Sequence, residues 1–328
     1  MTEENQDLII EKYQPKKINN KKMLGLIMDK LTASGIERFK DCSTYNEFIA
    51  TADKKHKKNI RSNACGKRFC PVCEWKKARK NGLELATLIK AIEEEKNQEF
   101  LFLTLTTPNV KGHELINEIN RFNKAFNKLF KRKKVIKAIK GYARKLEVTY
   151  NKERDDYNPH FHVILSVNKS YFTSRDYIPQ KEWLEMWRDC TGLTGVTENG
   201  TDEITQLHIK KVRKGHGKNS QGSAISEVAK YSAKDMEMSL NKEVFDTFYQ
   251  ALSGRQLLTY NGFFKEYKKL YKEHKLDKYI DKDMNDYVLK IVVKWNDELM
   301  KYDETYGDLS DEEKKEFNYQ LLQDIEVE

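Results

Sequence analysis

The chain has 328 residues, 38% hydrophobic and 34% charged, with 60 basic against 51 acidic side chains and a net charge of +9. That is room for about two domains with a real core, and the basic excess fits a polyanionic partner without proving one. No run of 18 or more apolar residues is long enough to span a membrane, the N-terminus lacks the basic and apolar regions of a signal peptide, and an odd number of cysteines in a chain this long does not read as a disulfide framework, so a reducing cytoplasm is the expected compartment.

Residues 1–40 carry the apolar patch Leu8-Ile9-Ile10 and a helical pattern through Met23, Leu24, Ile27 and Leu31, which predicts a small helical segment of unread function. Residues 41–80 hold Cys42 and then Cys65, Cys70 and Cys73, the last two as C-x-x-C with Pro71 between them. Four thiolates make a closed tetrahedral Zn²⁺ site. The set Cys42, Cys65, Cys70, Cys73 is wider than usual finger spacings, and His56 or His113 could stand in for Cys42. A redox pair lacks a βαβ context, and free thiols are the plain alternative. Lys67, Arg68, Lys76, Lys77, Arg79 and Lys80 around the cluster are a solvated face or a track for phosphates.

A helix is predicted over 74–95 (Leu85, Leu88, Ile89, Ile92), a strand over 100–107 and an amphipathic helix over 113–130 through Leu115, Ile119, Phe122, Phe126 and Leu129. The next strand, 142–150, alternates Leu146 and Val148 with Lys145, Glu147 and Thr149; the polar turn 151–158 leads into Pro159-His160-Phe161-His162-Val163. Residues i and i+2 of a strand share a face, so His160 and His162 would stand together on one exposed face. A hairpin brings Glu147 opposite one of them. Two imidazoles and a carboxylate with open positions suit a catalytic divalent ion; the plain reading is a half-buried strand with two histidines. Residues 170–204 read as an insertion with a helix at 181–190, followed by a strand at 205–213 and a Gly/Lys-rich loop at 214–222. A helix is predicted over 223–235, on which Glu227 and Tyr231 stand i, i+4 with Lys234 one turn on. Beside a divalent metal a tyrosine hydroxyl is a nucleophile for phosphate esters, and lysine steadies the leaving charge; without the histidines Tyr231 is an ordinary core tyrosine. Residues 241–306 read as helix-rich and aromatic. Residues 307–328, with eight acidic and two basic side chains, read as an acidic tail with one amphipathic helix through Phe317, Leu321 and Ile325.

From Cys42 to Asp235 the ordered set Cys65…Cys70-Pro-Val-Cys73, Phe102-Leu-Thr-Leu-Thr106, Leu146-Glu-Val-Thr-Tyr150, Pro159-His-Phe-His-Val163 and Glu227-Val-Ala-Lys-Tyr231-Ser-Ala-Lys-Asp235 resembles the rolling-circle plasmid replication initiators of the HUH endonuclease superfamily. The likeness is to the single-tyrosine group of small Gram-positive plasmids. The resemblance implies an α+β fold in which 81–240 forms a central five-stranded antiparallel sheet flanked by helices. It implies Mg²⁺ or Mn²⁺ on His160, His162 and Glu147, Tyr231 as nucleophile, and Glu227 activating water at termination. Implied partners are plasmid origin DNA at a hairpin or single-stranded nick site, a host helicase and polymerase, and a second copy of the chain as a homodimer; no membrane is involved. Asn158 stands where the family often has a further histidine, at a position expected to face away from the metal or lie in the turn. Other readings are a relaxase or transposase with the same chemistry, and a non-enzymatic zinc-stabilised DNA-binding regulator.

Overall fold

A computed structural model describes residues 8–193, 206–213, 221–230 and 235–322, with side chains left undescribed at 8–11, 235 and 236. In chain order the elements are α1 (Leu8–Ile27), α2 (Ala33–Asp41), β1 (Tyr45–Thr51), β2 (Lys57–Ser62), α3 (Pro71–Lys96), β3 (Gln98–Thr106), α4 (Leu115–Leu129), α5 (Lys133–Ala138), β4 (Ile139–Asn151) and β5 (Asp156–Asn168). There follow α6 (Gln180–Thr191), β6 (His208–Lys211), α7 (Gln221–Ala229), α8 (Asp235–Met238), α9 (Lys242–Leu252), β7 (Leu258–Gly262), α10 (Phe263–Lys272), β8 (Tyr287–Asn296), β9 (Lys301–Asp308) and α11 (Asp311–Phe317). The fold is α+β with two antiparallel sheets flanked by helices, and the chain divides into two compact units, Met1–Lys80 with Ile280–Glu328, and Asn81–Tyr279.

The first unit is built on a sheet of order β2-β1-β8-β9. Phe48, Ala50, Ile291, Val293 and Tyr302 make one face, on which Tyr13 of α1 sets its ring edge-on to Phe48 and Trp75. This departs from the five-part division expected above. The segment 241–306 is not helical throughout: it contains β7, β8 and β9, and 280–328 returns to pack with the first 80 residues. Within the acidic tail α11 stops at Phe317, short of Leu321, and Ile325 lies outside the described residues. The start of α11 is a capping box, with Ser310 and Glu313 each accepting from the other's backbone N–H.

The second unit is a five-stranded sheet of order β6-β3-β5-β4-β7, with β5 at its centre. Alternation along β5 sends Phe161 to one face, where it stacks on Phe122 of α4 at 4.3 Å. Trp187 of α6 closes that side and donates its indole N–H to the Thr106 carbonyl. The other face holds Phe100, Phe102, Ala143 and Ile164 under Leu88 and Ile92 of α3, Val228 of α7 and Phe264 of α10. Each of the large apolar side chains among them contributes about 1.5–3 kcal/mol on burial. Helices on both faces explain why β5 is buried almost end to end, where the sequence suggested an exposed histidine face.

Two local features hold the edge of this sheet. The β4–β5 hairpin closes at Asn151↔Asp156, tighter than the turn expected over 151–158, because the Asn151 side chain accepts from the N–H groups of Glu153 and Arg154. Gly262, at φ +55°, lets β7 cross β4 so closely that a Cβ there would meet the Lys140 carbonyl at 2.1 Å. Among the described residues no helix is long and apolar enough to cross a membrane.

Candidate metal centres

The hairpin register pairs Glu147 with His160 and Lys145 with His162, while β3 on the other side pairs Thr104 with His162. The central strand and its neighbour thus deliver both imidazoles and the carboxylate to one face, and the three can hold a metal ion together. Glu147 Oε2 lies 3.4 Å from His160 Nε2 and 3.1 Å from His162 Nε2, and Glu147 is 3% exposed. His160 Nδ1 faces the Asn158 carbonyl at 3.2 Å and His162 Nδ1 faces Thr104 Oγ1 at 3.5 Å. With Nδ1–H donating to the carbonyl, the Nε2 lone pair of His160 is left facing Glu147, as metal-ligating histidines require. His162 is further held by stacking on Phe102.

The donor set fits a divalent cation. His162 Nε2 is buried and makes no hydrogen bond among the described atoms, and Glu147 Oε2 is buried with only the Lys230 ammonium and the two ring nitrogens beside it, so the three ligands converge without satisfying one another. Burial alone would raise the Glu147 carboxyl, but the two imidazoles and the Lys230 ammonium outweigh it and hold Glu147 well below the carboxylate range.

Two residues of α7 and its C-terminal end join this cluster. Glu227, three residues before Lys230, accepts from its Nζ at 2.6 Å and stands 3.6 Å from His162 Nε2. Lys230 Nζ also reaches Glu147 Oε2 at 3.1 Å. Burial would lower the Lys230 ammonium, yet Glu227 and Glu147 raise it above its ordinary value. In the sequence Lys230 stands i, i+3 from Glu227, a spacing that puts the two on one helix face. Thr104 and Phe102, which position His162, carried no sequence signal beyond lying on a strand. Asn158 is neither in the turn nor turned away from the histidine face. It pairs with Thr149 inside β5, shares the parity of His160, and donates its amide to Asn109 at 2.6 Å. The helix expected over 223–235 is described only as far as Ala229, and Tyr231 and Lys234 lie outside the described residues.

The second centre belongs to the first unit. Cys42 follows α2, Cys65 precedes a turn at Gly66 (φ +66°), and Cys70 and Cys73 bracket the start of α3, where Pro71 suits the first helical position. Sγ atoms of Cys42 and Cys73, Cys65 and Cys73, and Cys70 and Cys42 lie 3.5, 3.6 and 3.5 Å apart. A tetrahedron of sulfurs at the usual Zn–S bond length has edges of about 3.8 Å, so the four fit one metal ion. His56 and His113 are exposed and take no part. Their mutual contacts push Cys65 and Cys73 below the ordinary thiol range and Cys42 and Cys70 above it. The buried Lys17 of α1 donates to the carbonyls of Lys40 (2.6 Å) and Cys42 (2.8 Å), and Asn20 donates to Cys70 Sγ at 3.4 Å. A buried ammonium is costly unless its protons find acceptors, and the two carbonyls supply them. That ties the unread N-terminal helix to the cysteine cluster.

Residues 56–303 match the model of a family described as Replication protein. The chain is 48% identical over 234 residues to Protein rep of Staphylococcus aureus, covering 71% of this chain and 96% of that one. It is 35% identical to Protein rep of Streptococcus pneumoniae serotype 2, covering 71% of each chain, and 35% identical to Protein rep of Bacillus amyloliquefaciens, covering 70% of this chain and 71% of that one. No solved structure matches. With three quarters of its length inside the family model, and its two ligand clusters reaching from Cys42 to His162, the chain belongs to the Replication protein family.

Proposed function

We propose that the chain is a plasmid rolling-circle replication initiator and a site-specific DNA-nicking enzyme of the HUH type. The observation that carries this reading is the convergence of Glu147, His160 and His162 on the two central strands, in a chain whose relatives are named for replication. A bound Mg²⁺ or Mn²⁺ would supply positive charge to the scissile phosphate. Glu147, His160 and His162 hold that charge on the sheet, and the covering helices limit access of bulk water. Tyr231 attacks the phosphorus; a free tyrosine hydroxyl, with a pKa of about 10, is a poor nucleophile at pH 7 without such charge. The Tyr231 Oη–P bond forms as the Oη–H proton is given up, the P–O3′ bond breaks, and the departing 3′ oxygen takes up a proton in its place. The products are a 5′-phosphotyrosine and a 3′-hydroxyl that primes a polymerase. Lys234 offsets charge on the phosphate, and Glu227 serves at termination as the base for a water that cleaves the regenerated site. The four cysteines hold a structural Zn²⁺.

The test is an adduct assay with labelled hairpin oligonucleotides carrying a cognate origin and Mn²⁺, read as an SDS-stable species and mapped by mass spectrometry. The expected adduct sits on Tyr231, disappears with EDTA and is absent from Tyr231→Phe, which still binds the origin. An adduct on another tyrosine overturns the assignment of the nucleophile. No adduct with the cognate origin overturns the enzymatic reading.

A further inference from the structure

Residues 124–140 contain seven lysines, one arginine and no acidic side chain. Three of the eight are matched: Arg132 pairs with Asp189, Lys134 with Glu182 and Lys137 with Asp176. Lys124, Lys128, Lys131 and Lys133 are exposed and make no ion pair among the described residues, and the Lys140 ammonium rests on the Lys137 carbonyl. Such a surplus repels itself unless an anion comes to it. The same segment borders a cleft of about 280 Å³ between the end of α4, α5 and the start of β4. Its wall is aromatic and aliphatic: Phe130 and Tyr142, whose rings touch edge to face at 4.8 Å, with Ile136, which is 58% exposed. Asn127 and Asn261 bring amides to the mouth, and Lys131 and Lys140 stand at the rim.

This cleft is not the metal site. Tyr142 has the opposite parity to Glu147 on β4 and so faces the other side of the sheet, and Gly141 lies six residues away, about 20 Å along the strand. A π-wall for a flat ring and lysines for phosphate are the two elements of single-strand binding, and amides can bond the edge of an unstacked base.

We propose that the cleft is a second DNA-contact site, which takes one unstacked nucleotide of the bound strand against Phe130 and Tyr142, with flanking phosphates on Lys131 and Lys140. The identity of the strand rests on the initiator reading; the site itself is read from the cleft. The test uses the full chain, a fluorescein-labelled single-stranded DNA pool, and the variants Asn127→Trp, which fills the cleft, and Lys131→Glu. Both positions are exposed, and melting temperatures are taken alongside to confirm folding. Each variant is expected to weaken binding about tenfold, within the range for one stacked base. Lys131→Glu should also flatten the salt dependence by about 0.7 in log K per log salt. Adduct formation on a short oligonucleotide carrying only the nick site should be unchanged. Photocrosslinking with 4-thiothymidine-substituted DNA should map to Phe130 or Tyr142. Wild-type binding by both variants, or crosslinks confined elsewhere, overturns the proposal. Saturable binding of free dTMP or dAMP with DNA affinity unmoved makes it a small-molecule site and overturns it equally. If no Tyr231 adduct forms while the variants still weaken binding, the nicking reading fails and the cleft assignment stands.

Discussion

A metal ion held by Glu147, His160 and His162 would compete with Lys230 for one oxygen. The Lys230 ammonium lies 3.1 Å from Glu147 Oε2, the atom on which both imidazoles also converge, and 2.6 Å from Glu227. In effect a side chain of the protein supplies the positive charge that the ligand set is built to receive. A unit charge about 4 Å from an incoming divalent ion costs roughly 2–8 kcal/mol, depending on how far water screens it. Lys230 is 36% exposed at its side chain, which places the effect toward the lower figure. Lys230→Gln should therefore tighten Mn²⁺ binding about fivefold or more, measured as loss of the free-ion signal in electron paramagnetic resonance. Equal or weaker binding would mean that Lys230 does not compete and is held by Glu227 alone.

Among the elements, α3 shows how a carboxylate can pin three segments. Near its C-terminal end Glu95 accepts from Tyr267 of α10 at 2.9 Å and from Tyr279 at 2.8 Å, and pairs with Lys278 at 2.9 Å. Lys278, then Tyr279 and Tyr267, hold its carboxyl down to about 2. A carboxylate whose folded value is depressed stabilises the fold above its unfolded value, about 4.3. That stability is lost as pH falls toward 2. In acid titrations followed by circular dichroism, Glu95→Gln should flatten the loss of stability between pH 4.5 and 2 relative to the wild type. Parallel curves would remove Glu95 from the acid response. Elements of this unit were the readable ones. The periodic apolar stripes of α4 and α3 and the alternation through Pro159–Val163 each report a single buried surface, and the glutamate opposite the histidines followed from the hairpin. The strands of the other sheet were not readable. β1 is buried on both faces and so has no alternation. In β8, Tyr287, Val288, Ile291 and Trp295 also fall at helical spacing, and the β-branched run Ile291-Val292-Val293 was the overlooked strand signal. The Lys230 contact was hidden for another reason: a lysine beside a tyrosine reveals nothing until the strand face beneath it is known.

For the whole chain the consequence lies in sequence separation. β1, at residues 45–51, pairs along its length with β8, and Phe48 meets Ile291 across that seam. The sheet that lies beside the cysteine cluster in sequence cannot form until residues about 240 positions apart are both present. Loop closure of this length is paid before the contacts return anything, which makes such pairings slow and late. Cys42, Cys65, Cys70 and Cys73 all precede α3's midpoint, so by sequence alone the cluster looks like an early, self-sufficient knuckle. The packing says otherwise. Ser43, next to Cys42, has its hydroxyl 3.1 Å from that of Tyr302 on β9, and its carbonyl accepts from the same tyrosine at 2.7 Å. Ending the chain after Tyr279 removes β8, β9 and these contacts. It leaves β1 with one partner strand and strips Phe48 and Tyr13 of Ile291, Val293 and Tyr302. Each unmet core contact of that size costs on the order of 2–5 kcal/mol, against a total domain stability of roughly 5–15 kcal/mol. The truncated chain should consequently lose its ordered cysteine cluster: zinc should pass to a chromophoric chelator at least tenfold faster than from the full chain, and limited proteolysis should cut first within residues 8–62. If the truncated chain held zinc as tightly as the full one, the cluster would be a knuckle that folds on its own, and the C-terminal strands would serve some purpose other than supporting it.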